Sequence, residues 1–108
     1  MSVRNMNAEA FRDALAQSHK PVLVDFWAPW CTYCRRIGPA YDQIAQRYAD
    51  DLVVAKVNID EEPALAELEQ IEVIPTLVLY RDGNAVASIV APDSKAMIDR
   101  FLEEALKK

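Results

Sequence analysis

Apolar and polar positions along this chain follow two periods, which predict strands alternating with helices. Residues 21–27 are almost continuously apolar, as expected for a central strand covered on both faces, and residues 52–59 predict a second strand. Residues 76–81 and 85–90 are two further apolar runs, and Asp82-Gly83-Asn84 between them is a hairpin signal. The pattern therefore predicts parallel strands followed by a closing antiparallel hairpin.

Apolar residues recur at helical intervals in the segments before, between and after these strands. Asn7 is placed to cap a first helix, residues 62–68 predict a short one, and Ser94 is placed to cap the last. A longer helix should start at Cys31, with Pro39 kinking it from within. The apolar faces are Phe11, Ala14 and Leu15 in the first helix, Ile37, Tyr41, Ile44, Ala45 and Tyr48 in the long one, and Ile98, Phe101, Leu102, Ala105 and Leu106 in the last.

With one further strand before the helix that Asn7 caps, the element order is βαβαβαββα, which predicts an α/β fold in which a central mixed sheet carries helices on both faces. The chain has 108 residues and 52% hydrophobic content, enough to bury one core and hardly two. Repeats, low-complexity tracts and interdomain linkers are absent from the sequence. We therefore expect a single domain over residues 1–108.

The charge distribution argues against two classes of partner. The formal net charge is -5 and there is no stretch rich in lysine or arginine, so neither nucleic acid nor an anionic membrane is expected as the main partner. The N-terminal residues lack an apolar segment of signal-peptide length, and no later run approaches a membrane span. These features predict a cytoplasmic location, where a lone cysteine pair is more often catalytic than structural.

The two cysteines of the chain lie together in Cys31-Thr32-Tyr33-Cys34, directly after the first apolar run. If Cys31 opens a helix, Cys34 lies about one turn further on, so the sulfurs can close a small ring without unwinding the backbone. A cysteine in the first helical turn also faces unsatisfied N–H groups, which favour the thiolate. The spacing therefore predicts a redox dithiol in which Cys31 attacks and Cys34 resolves.

Two other interpretations of the cysteine pair are weaker. A purely structural disulfide across so few residues would remove little entropy from the unfolded chain. A zinc site needs about four ligands, and the chain offers these two cysteines and the distant His19. We expect neither a metal nor another cofactor.

With these features the chain resembles the thioredoxin family over nearly all of its length. The resemblance is carried by residues 24–31, the dithiol, Pro39, residues 56–60, residues 74–76 and residues 82–83. It implies a thioredoxin fold and thiol-disulfide exchange with protein substrates. It makes Cys31 the nucleophile and Pro75 a cis-proline beside the dithiol, where the Ile74 backbone pairs with the substrate chain. Without the resemblance, an ordinary proline at the start of a strand is the usual interpretation of Pro75, because cis is the minority state of any X-Pro bond.

Asp25 is the one acid in an otherwise apolar strand. If it is buried, its pKa should be raised, and it could exchange a proton with Cys34 through water. The alternative is a carboxylate at a strand end that reaches solvent. The resemblance favours the buried role, with Lys56 on the neighbouring strand as charge partner. Trp27 is then mainly a core residue, and Trp30 part of an apolar rim on which substrates dock.

Three positions depart from the usual pattern of the family. Thr32 and Tyr33 replace the usual Gly-Pro, and a tyrosine before the second cysteine resembles the glutaredoxin pattern. Ala91 replaces a usual glycine, and its side chain would narrow the substrate groove. We expect Thr32 and Tyr33 to make the reduction potential less negative and to weaken the use of ordinary thioredoxin reductase. Arg35 and Arg36 either stabilise the Cys31 thiolate and steer acidic partners or are solvated helix residues.

The sequence thus predicts a monomeric protein-disulfide reductase, recycled by a donor resembling thioredoxin reductase. The expected substrate-binding residues are Trp30, Thr32, Tyr33, Ile74, Pro75 and Ala91. One alternative, suggested by Tyr33, is glutaredoxin-like reduction of glutathione mixed disulfides. Another is a binding module that holds a partner protein on the apolar rim, with the dithiol as a switch.

Overall fold

The computed structural model describes residues 3–107, and a five-stranded mixed sheet lies at its centre. The strands are β1 (Arg4–Asn5), β2 (Val22–Trp27), β3 (Val53–Asn58), β4 (Thr76–Arg81) and β5 (Asn84–Val90). Their order across the sheet is β1-β3-β2-β4-β5. The first three in this order are parallel, and β4 and β5 are antiparallel to their neighbours. The predicted mixed sheet is confirmed, including the closing hairpin.

Five helices connect the strands or follow them. They are α1 (Ala8–Gln17), α2 (Thr32–Arg36), α3 (Gly38–Arg47), α4 (Pro63–Leu68) and α5 (Lys95–Leu106). Both predicted caps are confirmed: the Asn7 side chain accepts from the Ala10 N–H at 2.8 Å, and Ser94 accepts from the Met97 N–H at 3.2 Å. Each cap satisfies an N–H group that has no partner within its helix. None of the helices in the described range is long and apolar enough to cross a membrane.

The prediction of one kinked helix from Cys31 onward is wrong, because α2 ends at Arg36 and α3 begins at Gly38. Pro39 is the cause, since its ring would clash with the carbonyl of Arg35 and it has no N–H to donate there. Pro39 instead occupies the first turn of α3, where a missing N–H leaves nothing unpaired. The break at Ile37 separates the dithiol helix from the longer helix that packs on the sheet.

The turn between β4 and β5 has the geometry that its sequence predicts. Asp82 and Gly83 both adopt positive φ, 54° and 83°, as a tight two-residue hairpin turn requires. β4 runs antiparallel to β2, and Phe26 near the end of β2 pairs with Thr76 at the start of β4. The end of β2 and the start of β4 therefore share one edge of the sheet.

Helices pack on both faces of the sheet, as predicted, and in the structure α3 and α5 lie on one face and α1 and α4 on the other. On one face Leu23 and Leu77 pack with Tyr41 of α3 and Leu102 of α5. The other face packs against α1 and α4 through a second buried cluster that includes Val22, Val24, Phe26, Phe11 and Leu65. Because successive side chains of a strand point to opposite faces, Asp25 lies on the same face as Leu23. This places its carboxyl group on the side of the dithiol helix.

Candidate active site

Cys31 and Cys34 are joined by a disulfide, with their Cα atoms 5.2 Å apart. Cys31 is the N-cap of α2, and the backbone N–H of Cys34 donates to its Sγ at 3.1 Å. Cys31 is 8% exposed and Cys34 is 4% exposed. The predicted ring across one helical turn is confirmed. A backbone donor is already aimed at the Cys31 sulfur, where it would stabilise a thiolate.

The turn that leads from β2 to the dithiol leaves Trp30 on the surface. The Cys31 N–H donates to the Ala28 carbonyl at 3.1 Å, which closes the turn. Trp30 is 66% exposed, and its indole Nε1 donates to Asp60 Oδ1 at 3.1 Å. Sequence reasoning did not assign this role to Asp60. The signal was present, because Trp30 and Asp60 each follow a parallel strand and an exposed indole N–H needs an acceptor.

The start of β4 supplies the next side of the site. The Ile74–Pro75 peptide bond is cis, as expected. The Ile74 carbonyl oxygen lies 4.0 Å from Cys31 Sγ. The Pro75 carbonyl is occupied, because it accepts from the Ala91 N–H at 2.7 Å. Of these two carbonyls, that of Ile74 therefore faces the reactive sulfur.

The segment after β5 completes the surroundings of the dithiol. Ala91 adopts a φ of 47°, and its carbonyl accepts from the Tyr33 hydroxyl at 3.1 Å. Tyr33 is half-buried, whereas Thr32 is exposed. Tyr33 and Ile74 pack against the two cysteines, and the Tyr33 hydroxyl connects the dithiol helix to Ala91.

Asp25 is buried rather than exposed at a strand end. It is 4% exposed, and burial raises the pKa of its carboxyl from 3.8 to about 7, while the charge of Lys56 opposes this shift. Asp25 Oδ1 has no hydrogen-bond partner among the described residues. Lys56 pairs in register with Asp25, yet its Nζ lies 4.6 Å from the centroid of the Trp27 ring. Lys56 therefore influences Asp25 through its field rather than through a direct ion pair.

Asp25 and Cys34 line a common cavity of about 210 Å³ beneath the dithiol. The other lining residues are Trp27, Arg35, Gly38, Tyr41, Asp42 and Lys56. Cys34 and the buried Asp25 therefore border the same space in the structure. Of the two arginines after the dithiol, both exposed, Arg35 lines the cavity.

The Tyr41 hydroxyl adds a polar group that the helical pattern did not assign. It donates to the backbone carbonyls of Ala55, at 2.6 Å, and Leu23, at 3.3 Å. Burial, together with the nearby Asp25 carboxyl, raises the pKa of Tyr41 well above its ordinary value, so the hydroxyl stays neutral. A buried tyrosine on an apolar helix face needs such a partner, but its spacing alone does not say which one.

The site thus combines a closed dithiol, a backbone donor on one sulfur and a buried carboxyl that can gain or lose a proton near neutral pH. Within residues 3–107, no cluster of three or more histidine, cysteine or acidic side chains is arranged to hold a metal ion. These groups suffice for proton-coupled exchange between a thiol and a disulfide.

Comparisons with known proteins agree with this chemistry. The Thioredoxin family model matches residues 2–104. Thioredoxin 1 of Synechococcus elongatus is 44% identical over 89% of this chain and 90% of its own length. Thioredoxin of Acidithiobacillus ferridurans is 46% identical over 91% of each chain, and the chloroplastic M-type thioredoxin of Chlamydomonas reinhardtii is 41% identical over 94% of this chain and 72% of its own. By sequence, fold and redox-active cysteine pair, the chain belongs to the thioredoxin family of thiol-disulfide oxidoreductases.

Proposed function

We propose that this protein reduces disulfide bonds of protein substrates, with Cys31 as nucleophile and Cys34 as resolving cysteine. The observation that carries the proposal is the hydrogen bond from the Cys34 N–H to Cys31 Sγ at 3.1 Å. A donor fixed at this distance favours the thiolate of Cys31 in the reduced protein, because it stabilises the negative sulfur. Cys34 lines the inner cavity together with Asp25.

The reaction runs in two exchange steps. The Cys31 thiolate attacks one sulfur of the substrate disulfide, that bond breaks, and the other substrate sulfur leaves as a thiolate. Cys34 then loses its proton, attacks Cys31 Sγ and releases the second substrate sulfur. Two electrons pass to the substrate, which becomes a dithiol after taking up two protons, and the Cys31–Cys34 disulfide forms. A donor resembling thioredoxin reductase returns the protein to its dithiol form.

Asp25 acts in the second step as the proton acceptor for Cys34. Its pKa of about 7 allows the carboxyl to take a proton and to return it near neutral pH. The shared cavity of about 210 Å³ is the route between the two groups. Lys56 favours the charged carboxylate and so keeps part of the Asp25 population ready to accept.

A groove between Trp30, Ile74 and Ala91 binds the substrate chain. The Ile74 carbonyl faces Cys31, so an extended substrate backbone that pairs with Ile74 brings its disulfide to the nucleophile. Trp30 is held by Asp60 and offers an exposed apolar surface. Thr32 and Pro75 border the groove on either side of the dithiol.

Two alternatives remain distinguishable from this proposal. Glutaredoxin-like recognition of glutathione is less favoured, because the Tyr33 hydroxyl is engaged by the Ala91 carbonyl. A pure binding module would use the same apolar rim but gives no role to the cavity shared by Asp25 and Cys34.

We further propose that the protein is a cytoplasmic monomer with neither nucleic acid nor a membrane as main partner. The single domain over residues 1–108 stays a prediction.

The test is reduction of insulin disulfides with dithiothreitol as electron donor. Cys31→Ser should abolish the reaction, whereas Cys34→Ser should accumulate a mixed disulfide on Cys31, seen as a shifted band on a non-reducing gel. Full activity of Cys31→Ser would contradict the assignment of the nucleophile. Recycling by thioredoxin reductase, compared with recycling by glutathione, separates the proposal from the glutaredoxin-like alternative.

A further inference from the structure

Tyr33 lies between the two cysteines in sequence, but its hydroxyl contacts a segment far away in the chain, the one that follows β5. The hydroxyl donates to the Ala91 carbonyl at 3.1 Å, across 58 residues of sequence, in a partly buried position. The bond joins the dithiol helix α2 to the segment that follows β5.

Ala91 needs such a restraint. Its φ of 47° lies in the left-handed region that residues with a Cβ rarely adopt. Pro92 follows, is fully buried, and further restricts the backbone of the residue before it. Two hydrogen bonds hold Ala91 in place: its N–H donates to the Pro75 carbonyl at 2.7 Å, and its carbonyl accepts from Tyr33. Of these, the Tyr33 bond is the one supplied by a side chain.

The contacts form a continuous chain around the dithiol. Tyr33 holds Ala91, Ala91 holds Pro75, and the carbonyl of the adjacent Ile74 lies 4.0 Å from Cys31 Sγ. The Ala91 side and the Ile74 side of the substrate groove are therefore both connected to α2. An extended polypeptide in the groove contacts both sides, whereas a small disulfide needs to contact only the Cys31 sulfur.

We propose that Tyr33 is a positioning residue that fixes Ala91 in its left-handed conformation and so preorganises the groove for extended polypeptide disulfides over small ones. The inference rests on the proposed function, because it concerns the substrate preference of the same dithiol. Preorganisation favours binding by reducing the ordering that must occur when the substrate arrives. The effect should therefore fall mainly on KM and mainly for polypeptides.

The test is Tyr33→Phe, which keeps the ring and removes only the hydroxyl. Steady-state kinetics are measured with insulin and with 2-hydroxyethyl disulfide. Since a hydrogen bond of this kind contributes a factor of about 2 to 12, KM for insulin should rise roughly threefold to tenfold. The rise in KM should exceed any fall in kcat, and kcat/KM should fall further for insulin than for the small disulfide. In the same variant the Ala91 amide should exchange its hydrogen faster.

Two further variants separate positioning from general loosening. Tyr80→Phe removes a hydroxyl that donates to Glu69 at 2.6 Å elsewhere in the sheet, and it should leave the ratio of the two kcat/KM values unchanged. Tyr33→Phe/Ala91→Gly should recover most of the lost KM, because glycine adopts a φ of 47° without strain.

The inference is overturned if Tyr33→Phe leaves the insulin KM within twofold of the unaltered value or reduces both kcat/KM values equally. It is also overturned if Tyr80→Phe changes the ratio of the two kcat/KM values as much as Tyr33→Phe does. Failure of Tyr33→Phe/Ala91→Gly to recover the KM for insulin overturns it as well. These results leave the proposed function standing. If the unaltered protein does not reduce insulin, the proposed function fails and the inference fails with it.

Discussion

Replacing Asp25 by asparagine removes a carboxyl group that is 4% exposed and whose pKa is raised from 3.8 to about 7 by burial. In the unfolded chain this carboxyl loses its proton near pH 4, whereas in the folded protein it keeps the proton up to about pH 7. Between these values the folded state binds more protons, so the free energy of unfolding falls as pH rises. Above pH 7 the folded state carries the whole cost of the buried carboxylate.

The size of the effect follows from the two pKa values. One pKa unit corresponds to about 1.4 kcal/mol, so the difference between 3.8 and about 7 corresponds to about 4 kcal/mol. Asparagine has nearly the shape of the protonated carboxyl and no charge. We therefore expect Asp25→Asn and the unaltered protein to be similarly stable near pH 4. Near pH 8.5 the variant should be more stable by about 4 kcal/mol.

Urea unfolding of the oxidised proteins at several pH values between about 4 and 8.5 measures this difference. Asp42→Asn is the matched control, because Asp42 lines the same cavity but is exposed. It should stay within about 0.5 kcal/mol of the unaltered protein throughout. A stability difference for Asp25→Asn that does not change with pH would refute the reasoning.

The Asp25→Asn variant should also resolve mixed disulfides slowly, because the proton acceptor for Cys34 is gone. Unaltered turnover near pH 7 would restrict Asp25 to a structural role.

Two further predictions concern the charge next to Asp25 and the residues between the cysteines. Lys56→Met should raise the Asp25 pKa, because the Lys56 charge lowers it; a carboxyl ¹³C NMR titration with an unmoved midpoint would contradict this. Relative to Thr32→Gly/Tyr33→Pro, the unaltered protein should have a potential less negative by about 30 mV, which corresponds to about 1.4 kcal/mol. The reason is that the unaltered ring lacks the stiff proline of the variant and carries the exposed Thr32 hydroxyl next to Cys31, and both differences favour the reduced form. Equilibration with glutathione buffers decides it, and an equal or more negative potential for the unaltered protein would count against it.

The parts of the fold predicted from sequence are those set by local patterns. The hairpin turn at Asp82 and Gly83, the caps at Asn7 and Ser94, and the bounds of β4 need only neighbouring residues. The break at Ile37 was not predicted, although Pro39 marks it. Within a helical pattern a proline either kinks the helix or starts a new one, and packing of α3 on the sheet decides between them.

In the candidate site, too, some residues could be predicted from local sequence, whereas the contacts between distant residues could not. Cys31 and Cys34 are predicted from their spacing. Asp25 stands out as an acid within an apolar strand, but its burial is favoured only by the family resemblance. The bonds from Trp30 to Asp60, Tyr33 to Ala91 and Tyr41 to two strand carbonyls join residues far apart in sequence. Each polar group signals that it needs a partner, but the partner is chosen by how the strands and helices pack.

The mixed direction of the strands has a consequence for engineering the protein. β2 and β3 end, and β4 begins, at the edge that carries the dithiol, so the β4–β5 turn must lie at the opposite edge. Asp82, Gly83 and Asn84 are exposed there. Exposed loop tips of small polar residues are the sites that best accept inserted segments. A fluorescent label or an affinity peptide can therefore be attached at this turn while the groove that meets disulfides stays open.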